Sequence, residues 1–150
     1  MAWGGSGWYA DTLVDALGTS QIGLNLALGT HKLALYDNTI TPNYSTADSA
    51  YSTTGEIAGT GYTAGGAAIA SGTLVVSTTG GTFVVWDGND VQWTGSTLTG
   101  VRGGIAYADG STPKRNILGI DFVSAYTTAS GTLLVAFAST GIGRVNVISP

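Results

Sequence analysis

Residues 73–86 read TLVVSTTGGTFVVW, two runs of branched and aromatic residues separated by a pair of glycines. Branched and aromatic side chains favour extended backbone. Gly80 and Gly81 can adopt the positive φ angles that a tight connection between antiparallel strands requires. The stretch therefore predicts a β-hairpin whose strands occupy residues 73–78 and 82–86.

Strand and turn patterns of the same kind alternate through most of the chain. Further strand patterns lie at 32–37, 91–93, 100–108, 116–123, 131–138 and 143–149. Short strands at this spacing, without helical patterns between them, are typical of an antiparallel sandwich or barrel. We expect one mainly β domain over residues 1–150, an antiparallel β-sandwich or barrel-like fold with one short N-terminal helix and a long loop. The string ASGTL occurs at 70–74 and again at 129–133. We explain this repeat by two strands that begin after the same kind of turn.

The helical pattern lies near the amino terminus, at residues 8–17 (WYADTLVDAL). Its apolar side chains share one stripe, formed by Trp8, Leu13, Val14 and Leu17. Gly18 follows as a stop signal, and an alternative start has Asp11 as the N-cap. The preceding residues, 1–7, are rich in glycine and predict a flexible arm. The stretch at 24–28 (LNLAL) is either a strand or a loose turn.

Residues 38–66 are rich in Thr, Ser, Gly, Asn and Tyr, and we predict that they form a long loop. Unbroken loops of this length are uncommon in compact domains and are often functional. Three tyrosines of this loop, Tyr44, Tyr51 and Tyr62, are expected to anchor it against the body of the domain or against a neighbouring subunit.

The four tryptophans divide into two pairs. Trp86 and Trp93 lie in strand patterns and are predicted to belong to the core. Trp3 and Trp8 flank a glycine-rich segment that offers nothing local to pack on, so they either contact a partner subunit or fold back on their own domain. The candidate subunit contacts are therefore Trp3, Trp8, Tyr44, Tyr51 and Tyr62.

The chain is unusually poor in charge. Only 9% of its residues are charged, against roughly a quarter in an ordinary soluble domain. Apolar residues make up 43%, too many for a disordered chain. The net charge is −4 with only five Lys and Arg, which argues against nucleic-acid binding. The chain has no Cys, so it has no disulfide and no thiolate metal site. We also expect no membrane span and no leader peptide, since the apolar runs are short and residues 1–7 lack a leader pattern.

The residue types that carry catalysis are scattered along the chain. His31 is the only histidine, no nucleophile motif surrounds any serine, and we interpret it as a strand-edge or surface residue. The DGND segment at 87–90 lacks the ligand ladder of a calcium loop and predicts a turn. GTGYTAGG at 59–66 lacks the helix of a dinucleotide site and predicts a glycine-rich turn. Asp121 lies in an apolar strand pattern and needs a partner, for which Arg102 is the candidate. We predict no enzyme activity, no catalytic residue, no cofactor and no metal site.

Four segments of the chain follow one another in a distinctive order: GEIAGTGYTAGG at 55–66, NDVQW at 89–93, VRGGIAYADG at 101–110 and ILGIDF at 117–122. Together, behind a short N-terminal helix, they resemble a family of small structural proteins of tailed-bacteriophage virions. The resemblance covers residues 55–122. Asn89 departs from the acidic residue usual at its position, and the two glycines of GGIAY replace bulkier residues. The resemblance implies a role in the virion and no catalytic residues.

Resemblance and low charge together predict a capsid decoration (cementing) protein, because sparse charge lowers the cost of desolvating a surface against its neighbours. The expected partners are the major capsid protein and copies of the chain itself, as a homotrimer, with no nucleic acid, membrane or small-molecule substrate. The expected location is the outer surface of the virion head, after synthesis in the host cytoplasm. The alternative is a tail or adsorption protein, either a minor tail subunit or a carbohydrate-binding tip whose tyrosines and tryptophans would stack on sugar rings. A hydrolase of host wall polymer is a third class, and it would depend on Asp121 or Asp90.

Overall fold

The computed structural model describes residues 3–19, 22–45 and 50–147 of the chain. In this part of the chain, in order, lie β1 (Gly7–Trp8), α1 (Ala10–Leu17), β2 (Lys32–Tyr36), β3 (Ala67–Ala68), β4 (Thr73–Ser77), β5 (Phe83–Asp87), β6 (Val91–Ser96), β7 (Val101–Tyr107), β8 (Asn116–Tyr126), β9 (Gly131–Val135) and β10 (Gly143–Asn146).

The strands form three antiparallel sheets. A five-stranded sheet has the order β1-β8-β7-β2-β3, a three-stranded sheet has the order β10-β5-β4, and β6 pairs with β9. Of the described residues 42% are in strands and 6% in the helix, and the sheets lie in a sandwich-like arrangement with no closed barrel. The prediction of a mainly β, sandwich-like fold with one short helix is confirmed.

The hairpin at 73–86 forms as its glycines predict. β4 pairs with β5 from Thr73 opposite Asp87 to Ser77 opposite Phe83. Gly80 and Gly81 adopt φ angles of +72° and +140° in the connection. The repeated ASGTL strings also behave as predicted, since the serine of each string lies at a φ near +50° just before β4 and before β9 (Ser71, +55°; Ser130, +51°).

Strand β2 is buried on both faces and separates two hydrophobic clusters. Its Leu33 and Leu35 face the main core, which also holds Trp86 and Trp93, as predicted for both tryptophans. Its Ala34 and Tyr36 face a second core on the other side of the five-stranded sheet. The residues of this second core are Trp3, Tyr9, Ala34, Tyr36, Ile105 and Tyr107.

The long loop predicted at 38–66 contains no strand in its described part, which excludes residues 46–49. Isolated bridges tie it to the sheets, at Ala50 with Arg115, Glu56 with Tyr36 and Thr60 with Thr97. Ile40, Tyr44 and Tyr51 of the loop pack against the second core. These residues cover part of one face of the five-stranded sheet, whereas Ile57 and Tyr62 of the same loop pack with the main core on the other face. The segment at 24–28 contains a turn and no strand, so of the two structures predicted for it, a strand or a loose turn, the turn is correct.

The predicted stripe of helix α1 is wrong. The helix begins at Ala10 and not at Trp8 or Asp11, because Trp8 pairs with β8 and Tyr9 becomes the N-cap. Its buried residue is Thr12, whose hydroxyl donates to the carbonyl of Asn116 at 2.5 Å. Val14 and Leu17 are 66% and 84% exposed. The orientation of this short helix is set by the pairing of β1 with β8 and not by the apolar stripe of the helix. The stop at Gly18 is correct, since its N–H donates to the carbonyl of Val14.

The described residues of the predicted arm at 1–7 lie against the domain. Trp3 is 4% exposed, and its indole N–H donates to the carbonyl of Asp37 at 3.0 Å. The ring lies over Gly103, where a Cβ would come within 2.7 Å of two of its ring atoms. Trp3 is therefore a core residue, because a buried glycine in β7 leaves room for its indole, and the prediction of a flexible arm at 1–7 does not hold for Trp3.

Trp3→Ala is expected to lower the free energy of unfolding by about 3–5 kcal/mol, because it removes a buried indole and leaves a cavity over Gly103. Urea denaturation measures this value. The matched control is Val14→Ala, whose exposed side chain should change the free energy by no more than about 0.5 kcal/mol. Equal stability of Trp3→Ala and the wild type would contradict the placement of Trp3 in the core.

Candidate binding surface

The charged residues leave two long uncharged stretches, 57–86 and 122–143. In the described part of the chain, six of the eleven exposed large apolar side chains lie in these stretches. They are Leu74, Val75, Val76, Val123, Tyr126 and Leu134. Exposed apolar area without interspersed charge marks a surface suited to contact with other protein.

Two of these residues, Tyr126 and Leu134, line an open apolar groove between β8, β9 and the segment that follows β9. This β8–β9 groove has a volume of about 350 Å³. Its lining consists of Ile120, Phe122, Tyr126, residues 133–138, Gly141 and Ile142. Tyr126 and Leu134 are 49% and 53% exposed, while Leu133 and Val135 of the lining continue into the main core. The groove is therefore an extension of the core that opens to solvent.

An irregularity in β8 forms one side of the groove. Gly103 of β7 pairs with Asp121, whereas Val101 pairs with Tyr126, so three residues of β7 face six of β8. Within this bulge Val123 has a φ of +66° and is 79% exposed. A β-branched residue in this region of φ is strained, and such strain accumulates at functional sites. The bulge turns Phe122 and Tyr126 edge to face, with ring centroids 6.3 Å apart.

Asp121 holds the bulge in place. Its carboxylate accepts hydrogen bonds from the Arg102 guanidinium and from the N–H of Val123 (2.8 Å for the latter), and its own N–H donates to the Ser6 hydroxyl. The predicted pair of Asp121 with Arg102 is thus confirmed. Burial acts to raise the pKa of Asp121, but the hydrogen bonds from Val123 and Arg102 outweigh it and hold the pKa below its ordinary value.

Tyr51 and Tyr62, two of the candidate subunit contacts, meet at Glu56 inside the molecule. Their hydroxyls donate to the two carboxylate oxygens of Glu56, each at 2.6 Å, and the N–H of Gly65 donates to the same carboxylate at 2.6 Å. Tyr51 stacks on Tyr107 with centroids 4.5 Å apart. Burial raises the pKa of Tyr51 and Tyr62, and the hydrogen bond of each hydroxyl to Glu56 raises it further.

The remaining candidate contacts, Trp3, Trp8 and Tyr44, also pack on their own domain. Trp8 lies 6.0 Å from Trp86, centroid to centroid. The Tyr44 hydroxyl donates to the carbonyl of Gly5 at 2.8 Å, and burial together with the charge of Asp121 raises its pKa to about 12. All five aromatic residues thus pack within their own domain, and contact of any of them with a partner subunit stays a prediction. None of the five lines the β8–β9 groove.

The lone histidine is buried, which corrects its interpretation as a surface or strand-edge residue. His31 is 3% exposed, its Nε2 lies 2.7 Å from the carbonyl oxygen of Asn25, and its ring stands edge-on to Trp86 at 6.0 Å. The imidazole of His31 packs beside Trp86, and nothing in the sequence around His31 indicates this burial.

The glycine-rich segment at 59–66 forms turns, as predicted, whereas the turn predicted for DGND at 87–90 is wrong: Asp87 ends β5, and residues 88–90 are an irregular connection to β6, which lies in another sheet. Gly61, Gly65 and Gly66 all have positive φ angles within the turn at 59–66. Asp87 accepts from the N–H of Gly88, and Asp90 accepts from the N–H of Phe137. Within residues 3–19, 22–45 and 50–147 no three His, Asp or Glu side chains group closely enough to hold a metal ion.

Sequence reasoning missed two structural features, and only the first of them has a signal in the sequence. Glu56 is the only glutamate of the chain and directly precedes the first uncharged stretch, which could have marked it as a structural anchor. The bulge at Val123 has no such signal, because it arises from the pairing of β8 with β7.

The comparisons with known proteins identify no relative: no family model, no curated protein and no solved structure matches this chain. No helix in the described ranges is long and apolar enough to cross a membrane.

Glu56→Gln is expected to lower the free energy of unfolding by about 2 kcal/mol, because charge-assisted hydrogen bonds from three donors lose their anionic acceptor. The variant should also lower the pKa of Tyr51 and Tyr62, which ultraviolet titration of the tyrosines measures. A tyrosine whose pKa is raised in the folded state contributes its full stabilisation at pH values below its ordinary pKa of 10.0. This stabilisation is lost as the pH rises from there through the folded-state pKa. The wild type should therefore lose more stability than Glu56→Gln above pH 10. An unchanged tyrosine titration would contradict this cluster, and Asp37→Asn serves as the control.

Asp121→Asn is expected to lower the free energy of unfolding at pH 7 by about 2 kcal/mol, since Arg102 and Val123 lose a charged acceptor. The depressed pKa means that this contribution is complete above the ordinary value of 3.8 and disappears as the pH falls through the folded-state pKa. The difference between variant and wild type should therefore shrink below pH 4, as urea unfolding at several pH values can measure. Asp11→Asn is the matched control. A pH-independent difference would refute this role of the carboxylate.

Proposed function

We propose that this chain is a structural protein of a bacteriophage virion, and that it acts as a capsid decoration protein. It binds the major capsid protein and copies of itself, as a homotrimer, on the outer surface of the head. The β8–β9 groove and its uncharged surroundings carry this proposal. The mechanism is association alone: apolar surface is removed from water between neighbouring subunits, which resists the pressure of packaged DNA.

Burial of the groove is favourable because nothing charged has to be desolvated with it. Tyr126 and Leu134 stand half exposed beside a lining that continues into the core. Residues 122–143 contain no Lys, Arg, Asp or Glu. Each buried square ångström of such surface contributes about 25 cal/mol, without the several kcal/mol that an unpaired buried charge costs.

The strained backbone at Val123 is consistent with contact between this part of β8 and another subunit. Its φ of +66° costs free energy in the isolated chain, and its side chain is 79% exposed, so burial within the chain does not offset that cost. A subunit that packs over Val123 would recover the cost as buried aliphatic area. Strain at an exposed aliphatic residue beside an apolar groove therefore favours a protein partner.

The tail or adsorption alternative gains less support from the structure. Carbohydrate binding uses exposed aromatic rings as stacking platforms. Among the large apolar side chains described as exposed, Tyr126 is the only aromatic one. Tyr51 and Tyr62 hold Glu56, and Trp3 is buried.

Leu134→Lys is expected to reduce binding of the purified chain to purified phage heads at least tenfold, because it places a charge at the edge of the β8–β9 groove. The heads come from a mutant of the encoding phage that lacks the gene, and co-sedimentation measures the binding. The matched control is Leu17→Lys, an 84% exposed residue outside both uncharged stretches, which should bind like the wild type.

Cryo-electron microscopy of the same virions gives an independent test. Density for the chain on the outside of the head supports the proposal. Heads without the chain, its presence in tails alone, or wild-type binding by Leu134→Lys would each count against it.

A further inference from the structure

Strand β4 is an apolar edge strand with nothing paired along its outer side in the described structure. It ends the sheet order β10-β5-β4. Four of its five residues, 73–76, are exposed, with Leu74, Val75 and Val76 at 46%, 52% and 69%. The strand therefore presents branched side chains on both faces and backbone hydrogen-bonding groups along one side.

The pairing of β5 shows which backbone groups are free. The N–H of Val147 donates to the carbonyl of Thr82, and β10 and β5 pair in the same register from there to Gly143 opposite Trp86. In an antiparallel sheet the backbone N–H and C=O groups of successive residues point to alternate sides of the strand. The even-numbered residues of β5 therefore form their hydrogen bonds with β10, and the odd-numbered residues form theirs with β4. The β4 residues opposite these odd-numbered residues are Thr73, Val75 and Ser77. The N–H and C=O groups of Leu74 and Val76 therefore point away from the sheet.

Natural proteins protect such edges with charges, prolines or bulges. Strand β4 has none of these: it lies within the uncharged stretch 57–86, it contains no proline, and its five pairs with β5 are in continuous register. The opposite edge of the same sheet does carry a charge, Arg144 in β10, whose guanidinium lies 4.4 Å from the centre of the Phe83 ring. An unprotected edge beside a protected one indicates that β4 is covered in the assembled protein.

We propose that β4 pairs with β4 of a second copy of this chain, antiparallel, about a two-fold axis through Val75. This register places Leu74 opposite Val76 of the second copy, and Thr73 opposite Ser77 of the second copy. The outward N–H and C=O groups of Leu74 and Val76 then form four hydrogen bonds across the axis. Val75 meets its own symmetry mate at a non-hydrogen-bonded position, where side chains approach most closely.

The strand suits its own copy because its chemistry is symmetric about Val75. The order Thr-Leu-Val-Val-Ser reads polar, three apolar, polar from either end. A two-fold contact therefore sets apolar against apolar and hydroxyl against hydroxyl, with no charge opposite a like charge. Each chain contributes one β4, so the contact closes at two copies and joins two three-stranded sheets into one of six strands.

The contact is weak for isolated chains and strengthened by a lattice. Pairing of two five-residue strands buries less than the roughly 1,000 Å² typical of a stable interface. Copies held side by side on a shell have a high effective concentration, which converts a weak contact into a persistent one. The pairing itself does not depend on the proposed function, and it shares no residue with the β8–β9 groove.

Cysteine cross-linking tests the register directly, because the chain has no cysteine of its own. In Val75→Cys the two thiols lie across a non-hydrogen-bonded pair, with Cα atoms about 4.5 Å apart, within the span of a disulfide. In the control Val76→Cys the symmetry mates lie diagonally, about 8 Å apart, beyond that span. Under mild oxidation at high protein concentration, Val75→Cys is expected to form disulfide dimers at least tenfold faster than Val76→Cys. Equal rates, faster dimers of Val76→Cys, or no dimers at all would overturn the proposal, the last being the result if β4 pairs with a strand of another protein.

Sedimentation equilibrium adds a test without oxidation. The homotrimer of the proposed function forms on the head, so in free solution the wild type should show a concentration-dependent monomer–dimer equilibrium. Val75→Lys should remain monomeric with an unchanged melting temperature, since this side chain is exposed. A wild type that stays monomeric, or that forms trimers unaffected by Val75→Lys, would refute the two-fold contact. Binding of Val75→Lys to phage heads is measured in a separate co-sedimentation experiment. The absence of a dimer in solution and the absence of binding to heads are therefore distinguishable results.

Discussion

The carboxylate of Glu56 is the contact that joins the long loop to both cores. It accepts from two tyrosine hydroxyls and one backbone N–H, all at 2.6 Å, and so ties Tyr51, which packs on the second core, to Tyr62, which packs on the main core. The two cores lie on opposite faces of the five-stranded sheet. With the loop in place, β2 can bury Leu33 and Leu35 on one side and Tyr36 on the other. Part of the loop thus covers the sheet where a β-sandwich would place a second sheet.

The few charges of the chain serve mostly within it. Asp121 pairs with Arg102 at the bulge, Asp109 pairs with Lys32 and Lys114, and Asp15 pairs with Arg115. These internal pairs leave the β4 edge and the β8–β9 groove without charge. The surface that results is poor in the groups that keep proteins apart, which is the physical basis of the proposed association with other subunits.

Patterns of local origin were predictable, and packing of distant segments was not. The hairpin at β4–β5 follows from its residue types and its two glycines, and the pair of Asp121 with Arg102 follows from the cost of an unpartnered carboxylate in an apolar strand. The helix stripe was misread because Trp8 pairs with β8, which turns Thr12 inward. Trp3 was misread for a related reason, since its cavity is provided by Gly103, a hundred residues away.

The amino-acid sequence by itself determined the class of fold, because alternating branched residues and glycine turns act over a few neighbouring positions. It also determined that the surface would be poor in charge, because composition alone sets that limit. Only the tertiary structure decided which aromatic side chains are buried, where β8 bulges to strain Val123, and which strand is left as an open edge. These features depend on which distant strands pair and in what register, and local sequence preference does not encode that choice.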